Sequence, residues 1–200
     1  MIVPPKLKKG DEIRVISPSH SLKMLSDDVI TDAKNKLNEL GYKVTFSNHM
    51  NEKDEFNSMP IKSRVDELNE AFSDKNVKCI LTSIGGYNSN DILSYLDFDL
   101  IRNNPKIFSG FSDITVLLNA IYAKTGLITY HGPFFSTFAM HKGLDYILKY
   151  FNMCLTNEEI FEIEPSKEWS DDKWYLDQEN GNFIQNTGLI YYKEISLCQT

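Results

Sequence analysis

The sequence predicts an α/β fold: a doubly wound, mostly parallel sheet with helices on both faces. Three observations carry that prediction. Short β-prone runs alternate with helical stretches from residue 12 to residue 132. The run VKCILTSI at 77–84 has almost no polar face, as a strand covered on both sides should read. The stretches SPSHS, GGYNSND, GFSD and HGP each follow a strand. In such a sheet they gather on the carboxyl edge, where ligands bind.

The elements follow in order. EIRVIS at 12–17 is a short strand ended by Pro18. Over 26–41, Val29, Ile30, Ala33, Leu37 and Leu40 recur at helical spacing, with Ser26 as N-cap and Gly41 as stop. YKVTFS at 42–47 is the second strand. A second helix is expected over 58–74, with Ile61, Val65, Leu68, Ala71 and Phe72 as its inner face. After the third strand at 77–84 comes a short helix at 90–96. KIFSG at 106–110 is the fourth strand. The helix at 113–124 keeps Ile114, Leu117, Leu118 and Ile121 on one side and stops at Gly126. LITYHG at 127–132 is the fifth strand. No internal repeat or low-complexity segment interrupts the pattern.

A chain of 200 residues suits one medium domain, or one domain and a piece of another. The net charge of −7 argues against a nucleic-acid partner, because phosphate binding needs clustered Lys and Arg. KLKKG near the start is too short to count as a basic patch. Residues 1–19 hold no long apolar stretch, so neither a signal peptide nor a membrane anchor is expected there. Cys79, Cys154 and Cys198 show no metal-ligand spacing, and Cys79 lies in an apolar run as a buried thiol should. A sparse, odd cysteine count fits a reducing compartment, so the expected location is the cytoplasm. H-E-x-x-H, C-x-x-C, a Walker loop and G-x-G-x-x-G are all missing from the sequence, so no metal and no nucleotide cofactor is expected.

GFSD at 110–113 lies between a strand and a helix. A nucleophile on such a turn is lifted above the sheet edge, and the helix N-terminus beneath it offers free N–H groups to a negative oxygen. Ser112 could then attack while the N–H of Asp113 holds the oxyanion. The plainer reading is that Ser112 or Asp113 caps the helix, since the full G-x-S-x-G signature is missing. Gly85 and Gly86 let the preceding loop come close to a ligand, and an N–H there would be the second oxyanion donor. They read equally well as a simple turn into a capped helix. His131 is placed to act as a base, although a single His at a strand end is more often structural. His20, His49 and His141 have no partner at diagnostic spacing. The carboxylates of EIFEIEPS read as a solvated acidic stretch.

Taken together, RVISPS, ILTSIGGYNSNDIL, PKIFSGFSDITVLLNAIYAKTGLITYHGP and EPSKEWSDDKWYLDQEN resemble the serine peptidase family of LD-carboxypeptidases and microcin C immunity peptidases. The resemblance runs in family order over about residues 3–186 and is most specific at 105–133. It implies Ser112 as nucleophile and the backbone N–H groups of Asp113 and Gly86 as the oxyanion hole. It implies an N-terminal doubly wound domain, placed here at 1–165, with 166–200 as linker and start of a second domain. In full-length relatives, expected to be homodimers, that second domain brings a Glu and a His to complete the triad. The implied substrate is a small peptide or peptidyl-nucleotide amide, cleaved beside a terminal acidic or D-amino acid group, and no cofactor is implied. EWSDDKWYLDQEN is closer to the immunity branch, where Trp174 is the candidate to stack on a base, with packing of the linker as the alternative.

The sequence also departs from the family. Past NGNFIQNTG, no counterpart of the family's Glu and His is found before Thr200. The chain therefore reads as truncated, frameshifted or a fragment, and is expected to be nearly inert as a peptidase. The segment LIYYKEISL is β-prone but has too few partners to form a domain of its own. Three functions stand: an immunity-type peptidase, a murein LD-carboxypeptidase of cell-wall recycling, or a non-catalytic remnant.

Overall fold

The computed structural model describes residues 1–157 and 160–188. Its main sheet has five parallel strands in the order β2-β1-β3-β4-β5. These are β1 (Glu12–Ile16), β2 (Lys43–Phe46), β3 (Val77–Thr82), β4 (Ile107–Gly110) and β5 (Tyr130–His131). Alternate side chains of the strands feed two separate cores. Ile13, Val15, Cys79, Leu81 and Ile107 face α1 (Asp27–Glu39) and α5 (Leu144–Thr156). Ile16, Ile80 and Phe108 face α2 (Ile61–Ser73), α3 (Phe98–Asn103) and α4 (Thr115–Thr125). The doubly wound α/β fold expected from the sequence is the one observed.

The strand order reverses at β1, with β2 on one side and β3 on the other. Crossovers leaving in opposite directions open a crevice at the carboxyl ends of β1 and β3. SPSHS and GGYNSND lie on the two sides of it, and GFSD follows on the next strand.

The structure corrects several expectations. The fifth strand is Tyr130–His131, shorter than 127–132. Its first part pairs elsewhere: Leu127 bridges Ile2, and the Ile128 N–H donates to the Ile2 carbonyl at 2.8 Å. The short helix at 90–96 is a 3-10 helix over Ser89–Tyr95, whose buried positions Ser89 and Ile92 are three residues apart. Ile61, expected inside, is 38% exposed. The inner positions of the first turns of α2 are instead Ser63, Arg64 and Glu67, because that end of the helix faces the polar loops of the sheet edge. The helices α3 and α5 were not foreseen. Over the linker, β6 (Glu168–Trp169) pairs antiparallel with β7 (Ile184–Gln185). Cys198 and the LIYYKEISL segment lie outside the described residues. Among those described, no helix is long and apolar enough to cross a membrane, and no group of three or more His, Cys, Asp or Glu side chains is placed to hold a metal ion.

Candidate active site

The elbow is built by packing. A Cβ on Gly110 would lie 2.4 Å from Thr82 Oγ1 and 2.9 Å from Ile114 Cγ2, so β4 ends on a residue with no room for a side chain. Ile114 must return at once to the core, where it is fully buried. The residue between them absorbs the turn. Ser112 has φ 56°, in the left-handed region that costs a non-glycine residue about 1 kcal/mol or more. Its side chain is exposed on the carboxyl edge. A 3-10 turn over Ser112–Ile114 leads into α4, which therefore starts at Thr115 and not at 113. The N–H of Asp113 lies in this first turn, where helical N–H groups have no intrahelical acceptor. Neither Ser112 nor Asp113 caps the helix through its side chain, so the plainer reading of GFSD does not describe this turn.

The loop after β3 meets the elbow directly. A Cβ on Gly85 would stand 3.3 Å from Ser112 Cβ and 3.4 Å from Ser112 Oγ. Next to it, a Cβ on Gly86 would stand 2.2 Å from Ser19 Oγ, a separation no side chain can occupy. The N–H of Gly86 has no acceptor among the described residues. Phe134 closes the near side of Gly85, and Phe111 stacks on Phe134 with ring centroids 3.9 Å apart. Together they form an apolar wall beside the serine.

His131 is exposed, with its ring centroid 6.2 Å from that of Phe111. Among the described residues, no side chain hydrogen-bonds its ring and none hydrogen-bonds Ser112 Oγ. The elbow thus brings together Ser112, Asp113, Gly85 and Gly86, with no described side chain hydrogen-bonded to Ser112 Oγ. Trp174 is half-buried and packs against the α1-side core, with Tyr175 edge-on at 5.9 Å. It also lines a cavity of about 230 Å³ beside α5 with Met140, Tyr146, Trp169 and Phe183; no elbow residue lines that cavity.

The structure adds residues that sequence patterns did not single out. Ser19 is fully buried and donates its hydroxyl to Asp113 Oδ2 at 2.5 Å. The Ser89 N–H donates to the same oxygen at 2.9 Å. Arg64 reaches across from α2 to the Asn88 carbonyl at 2.9 Å, and Glu67 accepts the Ser17 N–H at 2.5 Å. His20 packs edge-on to Tyr87 at 4.8 Å, against Gly86. The only sequence signal for these was topological: SPSHS and GGYNSND had to share the sheet edge with GFSD.

Comparisons with known proteins identify the family and the fold. The family model described as the LD-carboxypeptidase N-terminal domain matches residues 13–132. The chain is 56% identical over 189 residues to YocD of Bacillus subtilis, a carboxypeptidase by assignment, covering 94% of this chain and 58% of YocD. An MccF-like protein of Bacillus anthracis superposes with a TM-score of 0.93 at 60% identity, covering 94% of this chain and 57% of that one. The microcin C7 self-immunity protein MccF of Escherichia coli, solved in complex with aspartyl sulfamoyl adenosine, superposes with a TM-score of 0.86 at 33% identity, covering 94% and 58%. The chain therefore spans somewhat more than half the length of these relatives.

Proposed function

The chain belongs to the LD-carboxypeptidase family, and on that premise we propose that it carries the nucleophile and oxyanion donors of a serine amidase of the microcin-immunity type. The observation that carries this reading is Ser112 itself, held at φ 56° on the carboxyl edge with the Gly85 turn against its side chain. Ser112 Oγ attacks the carbonyl carbon of the scissile amide and its proton passes to a base. The carbonyl oxygen, now negative, accepts the N–H groups of Asp113 and Gly86, which cost no reorganisation because they are already fixed. Collapse expels the amine, which takes up a proton, and water then releases the acyl group from Ser112 as a carboxylate.

The closeness of Gly85 to Ser112 lets a substrate backbone pass the serine, and the Phe111–Phe134 wall excludes water from one side. The substrate we favour is an aminoacyl- or peptidyl-nucleotide amide, since MccF is solved with aspartyl sulfamoyl adenosine. Trp174 is the candidate to stack on its base. The same reading makes the protein cytoplasmic, acting on a small substrate without a cofactor, a nucleic acid or a membrane partner, and makes its full-length relatives homodimers.

In this reading the base comes from the second domain that the family resemblance implies; among the described residues no side chain hydrogen-bonds Ser112 Oγ. An unassisted serine is a poor nucleophile, so the 200-residue chain by itself should turn over slowly. The test is hydrolysis of aspartyl sulfamoyl adenosine and of a murein tetrapeptide by the protein and by Ser112→Ala. Faster cleavage of the nucleotide amide, lost in the variant, is expected. Faster release of D-alanine would assign the chain to the murein branch. Equal rates in parent and variant would remove Ser112 from the chemistry.

A further inference from the structure

Beyond its backbone N–H, Asp113 offers a carboxylate for which the proposed reaction has no use. It does not cap the helix. It turns back across the sheet edge and is spent on two other loops. Asp113 Oδ2 accepts the Ser19 hydroxyl at 2.5 Å and the Ser89 N–H at 2.9 Å, while the Asp113 carbonyl accepts the Ser89 hydroxyl at 2.8 Å. Ser19 and Ser89 are both fully buried. Hydrogen bonds to an ionised acceptor are short and about twice as strong as neutral ones, and two from separate loops fix both.

Ser19 lies between this carboxylate and Gly86. Its Oγ stands 2.2 Å from the position a Gly86 Cβ would take, so the hydroxyl rests on the glycine's α-carbon. The Ser19 carbonyl is anchored in turn by the Ser58 hydroxyl at 2.5 Å, and the His20 N–H donates to the Gly85 carbonyl at 3.2 Å. The 85–89 loop is therefore gripped at its start by Ser19 and His20 and at its end by Ser89. Ser19 and Ser89 both end on Asp113. We propose that the Asp113 carboxylate is a positioning residue that, through Ser19 and Ser89, fixes the direction of the Gly86 N–H toward Ser112. One residue then sets both oxyanion donors, its own by peptide geometry and the other by side chain. With Oδ2 held by Ser19 and Ser89, the carboxylate is also turned toward those loops, away from a developing oxyanion that its charge would oppose. This inference rests on the reading of Ser112 and Gly86 given above.

The test reads the Gly86 amide directly. In ¹⁵N-labelled protein, Asp113→Ala and Ser19→Ala should each lower the Gly86 order parameter from about 0.85 to below about 0.6, while the Ile80 and Leu117 amides stay rigid. Asp113→Asn, which keeps one acceptor oxygen, should restore part of the order. Where turnover is measurable, kcat should fall by about tenfold to a hundredfold with KM within about twofold, as for a misplaced oxyanion donor. A Gly86 amide as rigid in both alanine variants as in the parent would overturn the proposal, and Ser19→Ala decides alone if Asp113→Ala does not fold. Ser112→Ala separates the two readings. It should abolish hydrolysis and leave Gly86 rigid, so hydrolysis surviving in it would refute the nucleophile without touching the positioning result.

Discussion

Ser112 combines a reactive group with an unfavourable backbone, and the two can be separated by mutation. Its φ of 56° suits glycine far better than any residue with a Cβ. Ser112→Gly should therefore be more stable than Ser112→Ala by about 1 kcal/mol, although both lack the hydroxyl. Chemical denaturation midpoints of the two variants measure this; equal midpoints would mean the turn is unstrained. The position of Ser112 was legible in the sequence, because an apolar run, a glycine and a helical pattern follow one another within 106–121. The Gly85-Gly86 turn was legible for the same reason. The partners of Asp113 were not. Its bond to Ser19 joins residues 94 positions apart, and no local pattern encodes which of the serines in SPSHS faces which carboxylate.

At the scale of elements, α2 shows how a helix can be identified correctly and its inner face misjudged. Periodicity gave its length, but it weighs apolar residues only. Near the sheet edge the buried positions are Arg64 and Glu67, and apolar Ile61 is left outside. Burial pushes the Glu67 carboxyl up to about 8, against the lowering effect of the Ser17 N–H and the Arg64 guanidinium. In the unfolded chain the same group ionises near 4.5. The folded state thus holds an extra proton between those values, and stability is lost as pH rises from about 4.5 toward 8. Glu67→Gln cannot ionise and should escape that loss. Its melting temperature relative to the parent should rise by several degrees between pH 5 and pH 8, on the order of 2–4 °C per kcal/mol for a chain of this size. A constant difference across that range would show that Glu67 ionises normally. α5 escaped sequence reading because its N-cap is Gly143 with no capping side chain, so the usual start signal is missing. β5 was overestimated because LITY looks uniformly β-prone, whereas pairing of Leu127 with Ile2 is a long-range choice.

The described residues form an α/β unit with a strap, residues 166–188, laid over one end. His141 joins them: its Nε2 lies 3.1 Å from Asp32 Oδ2 on α1 and its Nδ1 3.5 Å from Glu179 Oε1 on the strap. Gln178 bonds the Ala139 carbonyl at 2.9 Å, and Lys142 bonds the Glu179 carbonyl. The hydrogen bond to Asp32, helped by Glu179, raises the His141 pKa above 6.5. The charged clasp is therefore complete below that value and is lost as pH rises through the raised one. Exchange of the 177–181 amides, corrected for intrinsic rates, should quicken by about two- to fivefold from pH 6 to pH 8.5, as befits an exposed ion pair. The change should disappear in His141→Ala; a parent profile flat with pH would rule the clasp out. None of this was legible beforehand, since His141, Asp32 and Glu179 show no sequence spacing that relates them. The parallel, doubly wound sheet, by contrast, was implied by the alternation; its strand order comes from the structure and also bears on how the protein is made. After β1 and β2 leave the ribosome, β3, β4 and β5 each add to the same growing side of the sheet in the order of synthesis. Among the described strands of the main sheet none has to be inserted between earlier ones, so each can dock on a template already in place. The serine emerges just after the fourth strand, and the loops carrying Ser19, Gly86 and Ser89 have been translated before it, whereas Phe134 follows it.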